Sequence, residues 1–76
     1  MPLYDWQERV AEIALALYQN GETMTFNELA AELGHKPKLM GRRVGCAYKA
    51  ILDEERYEEA SAIAQAFTDS EGDYAY

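Results

Sequence analysis

Five basic side chains, Lys36, Lys38, Arg42, Arg43 and Lys49, fall between Leu33 and Leu52, a window that contains no acid. The rest of the chain holds all 14 acids and only two bases, Arg9 and Arg56. In a chain of formal charge −7, positive charge gathered this tightly marks a surface that something negative approaches. The other reading of the stripe is a solvated helix face, and two features weigh against that. No acids are interleaved, and two glycines, Gly41 and Gly45, stand among the bases.

The remaining reactive side chains form no catalytic pattern. Cys46 is the lone cysteine, which excludes an intramolecular disulfide framework and suits a reducing compartment. Arg43 and Lys49 lie near it in sequence, but no base and orienting group accompany it, so it reads as a helix-packing thiol. His35 is the lone histidine, beside two lysines in a turn. It reads as a solvated loop residue with no companion ligand for a metal. The carboxylates follow helix surfaces, and no glycine-rich phosphate loop is present. The expectation is therefore no enzyme activity, no cofactor, no metal and no small-molecule substrate.

The elements that position these groups follow from local signals. Asp5 and Glu8 have the spacing of a capping box and start a first helix, along which Trp6, Val10, Ile13, Ala14 and Leu17 form an apolar stripe. Asn20-Gly21 ends it. An extended piece from Thr23 to Thr25 leads to a second box, Thr25 and Glu28, with Met24 and Leu29 placed as a hydrophobic staple. The second helix, Phe26 to Leu33, stops at Gly34. His35 to Lys38 form a turn in which Pro37 opens the next helix, where a missing N–H costs nothing.

The third helix spans Lys38 to Leu52. At 100° per residue, Met40, Val44, Ala47, Tyr48 and Ile51 share one arc and face the core. Lys38, Gly41, Arg42, Gly45 and Lys49 share the opposite arc. Glycine in a helix interior costs roughly 1 kcal/mol relative to alanine, so the pair suggests a backbone that a partner approaches closely. The apolar stripe then jumps to Tyr57, Ala60, Ile63, Ala64 and Phe67, which places a break near Asp53. Asp53 caps a fourth helix from Glu54 to Thr68. The acids at its start, Glu54, Glu55, Glu58 and Glu59, suit the positive end of the helix dipole. Residues 70–76 form an acidic, tyrosine-bearing tail expected to fray.

A short helix, a glycine, a brief turn and a longer basic helix resemble the helix-turn-helix of winged-helix and related DNA-binding domains, over 23–52. The resemblance implies that the second helix of the motif enters the major groove with its early residues at the bases. Lys38, Leu39, Gly41, Arg42 and Gly45 would then face bases. Lys36 and Lys49 would position the protein on phosphates without reading sequence. Because helix follows Leu52, no β-hairpin wing is expected. Phe26 and Arg42-Arg43-Val44-Gly45 also resemble the DNA-binding part of alkyltransferase-like proteins. That likeness implies Arg42 as the residue entering the base stack. Those proteins' Pro-Cys-His active-site motif is absent, and Cys46 lies in Gly-Cys-Ala instead.

Together these signs predict one all-α domain, 1–69, of three to four helices, with a central helix-turn-helix over about 25–52. The expected function is duplex DNA binding, as a small transcriptional regulator or accessory factor, with Arg42, Lys38 and Arg43 as main contacts. The alternative is a protein-interaction module, or an acidic inhibitor imitating DNA charge, that keeps the shape without binding nucleic acid. Its working surface would be Glu55, Glu58 and Glu59 with the acidic tail. The net charge favours the alternative, since it repels a polyanion at long range. Screening beyond about 8–10 Å lets a local patch prevail at contact. Six tyrosines and Trp6 leave homodimerisation open, with Tyr4, Tyr18 and Tyr57 read as a core margin. The longest apolar run, Ile13 to Tyr18, is too short to span a bilayer. With no signal-peptide layout at the start, a cytoplasmic location is expected.

Overall fold

Backbone capping sets the first half of the molecule. The computed structural model describes residues 3–68; the tail at 70–76 lies outside them. Helix α1 is Asp5–Asn20. Its reciprocal start lies one residue earlier than the sequence suggests. Tyr4 is the cap, and its N–H donates to Gln7 Oε1 at 3.0 Å. Asp5 is already helical, so the Asp5–Glu8 box does not form. Gly21, at φ 68°, closes the helix: its N–H reaches the Tyr18 carbonyl, and that of Glu22 reaches Leu17, the double bond of a Schellman stop.

Strand β1 is Met24–Thr25 and leads into helix α2, Phe26–Leu33. The Thr25–Glu28 box forms as expected. Thr25 Oγ1 accepts from the Glu28 N–H at 3.1 Å, and the Thr25 N–H donates to Glu28 Oε1 at 3.0 Å. Gly34, at φ 71°, ends α2. Pro37 then opens a 3-10 turn, Pro37–Leu39, and helix α3 follows as Met40–Asp53. Lys38 and Leu39 therefore precede α3 instead of beginning it. Met40, Val44, Ala47 and Ile51 are fully buried, as their common arc requires, and Tyr48 is half-buried at the edge of the core.

The second half departs further from expectation. Asp53 is the last residue of α3, not the cap of the next helix. The chain turns through Glu54 and Glu55, the latter in a left-handed conformation at φ 61°. Helix α4 is only Tyr57–Ala66, and Phe67–Thr68 leave it as strand β2. Strand β2 pairs in parallel with β1, matching Met24 to Phe67 and Thr25 to Thr68. A buried aromatic and a β-branched residue suit that pairing. The fold is nonetheless all-helical in character, with four α-helices and one minimal two-stranded sheet among the described residues.

Helix α4 packs on α1 and α3, so its buried arc is wide: Ala60, Ala62, Ile63 and Ala66. At 100° per residue, Ala62 and Ala66 lie on the far side of Ile63 from Tyr57. Tyr57 is consequently 62% exposed, outside the stripe assigned to it. Tyr4 and Tyr18 are also exposed instead of marginal. Alanines on α1 (Ala11, Ala14) and α4 are buried together with Val10, Leu29, Ile63 and Phe67 in one core. The two helices run parallel, since Glu8 meets Arg56 at their starts while Tyr18 and Ala66 border one groove at their ends. No described helix is long and apolar enough to cross a membrane.

Candidate nucleic-acid interface

The buried arc of α3 dictates where its charges point. With Met40, Val44, Ala47 and Ile51 inward, Arg42 and Lys49 lie opposite them at 100° per residue. Both are exposed, as are Lys36 and Lys38 on the turn leading into the helix. Arg43 is half-buried on the flank. Among the described residues the ion pairs are Arg56–Glu8 and Arg56–Glu59, and none of the five clustered bases takes part in one there. The structure thus brings Lys36, Lys38, Arg42 and Lys49 to the exposed side of one helix and its lead-in turn.

Gly41 does not join them. A Cβ added at Gly41 would meet Phe26 Cε2 at 3.8 Å, so this glycine faces the ring of α2 and not an open outer face. Gly45 is half-buried on α3. Cys46, expected as a packing thiol, is instead exposed, one turn from both Arg42 and Lys49. Gln7 Nε2 of α1 approaches its Sγ at 3.6 Å.

His35 also departs from its expected solvated state. Its ring is half-buried edge-on to Trp6, with centroids 5.7 Å apart and planes at 72°. Its Nδ1 is buried without a hydrogen-bond partner, and its backbone N–H donates to Ala30 at 2.9 Å. Trp6 therefore holds the root of the basic turn against α1. Spacing carried no sign of this contact, because it joins residues from two elements.

The acidic candidates divide. Glu55 and Glu58 are exposed. Glu59 accepts from Arg56 Nε at 2.9 Å, while Arg56 Nη1 donates to Glu8 at 2.7 Å. The guanidinium holds the Glu59 carboxyl below its ordinary pKa, and the two carboxylates push Arg56 above its own. Arg56 is the residue whose role the sequence concealed; its one local sign was Glu59 three positions on. Among the described residues no three of His, Cys, Asp and Glu gather where a metal ion could be held. No family model matches this chain, and the comparisons with curated proteins and with solved structures found no match.

Proposed function

We propose that this chain binds duplex DNA through the outward face of α3 and its lead-in turn, as a small regulator or accessory factor. The observation that carries the reading is a set of exposed bases with no ion-pair partner among the described residues. Lys36, Lys38, Arg42 and Lys49 all lie in the second half of a helix–turn–helix arrangement. In such motifs the second helix enters the major groove, and bases at its edges grip the phosphates. Glu8 and Glu12 lie on α1 and Glu58 and Glu59 on α4, both packed against α3, while Glu28 and Glu32 lie on α2. These acids are spread over the other three helices, and the four exposed bases Lys36, Lys38, Arg42 and Lys49 are gathered on α3 and its lead-in turn.

The test is fluorescence anisotropy with a labelled duplex of mixed sequence, titrated from about 50 to 200 mM salt. Four phosphate contacts give a log–log slope of about −3.6. Arg42→Ala should weaken binding by roughly 1–3 kcal/mol if Arg42 reaches a base, or lower the slope by about one if it grips a phosphate. Its exposure means the fold should survive. Absence of binding at the lowest salt would overturn the reading.

The exposure of Glu55 and Glu58 supports one second reading, capture of a basic protein. Glu59 contributes less to it, being engaged by Arg56. Joint replacement of Glu55 and Glu58 by Gln should then release such a partner without changing duplex affinity.

A further inference from the structure

Lysines and arginines that hold phosphates grip any duplex without choosing among sequences. The apolar residue set within that surface is Leu39, 41% exposed. A single exposed leucine is ordinary on a protein surface. This one is set apart by its neighbours and by the turn that carries it. Lys38 precedes it, Arg42 follows one turn later, and both are exposed.

The backbone beneath Leu39 is fixed. Pro37 begins its 3-10 turn, the Leu39 N–H donates to the Lys36 carbonyl at 3.1 Å, and Met40 next to it is completely buried. Leu39 is thus presented at the leading end of α3, where a helix of this motif meets the bases. It has no hydrogen-bonding atoms in its side chain, so it cannot read donors or acceptors. The apolar group that the major groove offers is the C5-methyl of thymine. Over a G·C pair the same side chain would instead cover the cytosine amino donor without replacing its hydrogen bond to water, a net cost.

Resting on the DNA-binding reading above, we propose that Leu39 is a specificity-determining residue that packs on thymine methyl groups, giving the site a preference for T-containing steps. The phosphate-gripping side chains around it supply affinity, and Leu39 supplies choice.

The experiment compares three alternating duplexes of equal length, dA-dT, dA-dU and dG-dC, plus dG-dC carrying 5-methylcytosine. Every register of the first presents a methyl group, and uracil removes it without altering pairing. The native chain should bind dA-dU about fourfold more weakly than dA-dT, the loss expected for one unburied methyl group. Methylation of dG-dC should recover affinity. Leu39→Ala, checked for an unchanged helical spectrum and melting, should bind both A-containing duplexes equally and keep the native salt slope. Equal binding of dA-dT and dA-dU by the native chain would overturn the role of Leu39 while leaving DNA binding intact. So would a thymine preference that persists in Leu39→Ala. Failure to bind any of the duplexes would instead overturn the DNA reading on which the inference rests.

Discussion

Arg56 is one of two bases outside the positive window, and its placement makes it a strut. It links Glu8 on α1 to Glu59 on α4. These groups are partly exposed, so the pair of contacts is worth about 1 kcal/mol at neutral pH. The pH dependence has a definite sign. A carboxylate held below its ordinary pKa adds stability above that value, and the gain is lost as pH falls through the lowered one. Arg56→Ala should therefore lower the urea midpoint at pH 7, and the gap from the native chain should close as pH falls well below 4.5, the ordinary value for Glu59. A gap of the same size at pH 7 and pH 3 would show that Arg56 acts through packing alone. Some acid sensitivity should survive in the variant, because the Thr25 N–H holds Glu28 below its ordinary range in the same way.

Among the elements, two glycines of different kinds separate conformational need from packing. Gly34 sits at φ 71°, where an added Cβ is strained, so Gly34→Ala should cost roughly 1 kcal/mol by thermal melting. Gly41 is helical, and a methyl there would rest at ordinary contact distance from Phe26. Gly41→Ala should gain up to about 1 kcal/mol from helix propensity. A loss at Gly41 would mean that α2 and α3 are too close for the added methyl. The same contrast explains what the sequence disclosed. Capping at Thr25–Glu28, the stops at Gly21 and Gly34, and the inward arc of α3 depend on residues a turn apart, and all were legible. That arc also fixed Arg42 and Lys49 as outward. Strand β2 was not legible, because Phe67 becomes a strand residue only by pairing with Met24. The end of α3 at Asp53, the exposure of Tyr57 and the inward aim of Gly41 likewise depend on which element lies alongside.

For the whole molecule, the chain that presents the basic face carries a net −7, so attraction to a polyanion is confined to short range, within about a Debye length. A second whole-molecule property follows from the parallel run of α1 and α4. Helices joined by short loops run antiparallel, and these two are instead neighbours only after the chain has returned from the far side of α3. Helices α1 and α4, linked through residues 48 positions apart in sequence at Glu8 and Arg56, must come together over that distance before their side chains lock. Loops that long are entropically slow to shut, and non-local contact slows folding. Refolding after a denaturant jump should accordingly take milliseconds, not the microseconds reached by helical bundles with only local neighbours. Arg56→Ala should then act mainly by hastening unfolding, since a strut between the last helix and the first forms late. Stopped-flow fluorescence of Trp6 reports both rates, and relaxation faster than the mixing time would contradict this account of the closure. Helical content is thus a poor guide to the speed of this chain, whose clock is set by one long-distance handshake.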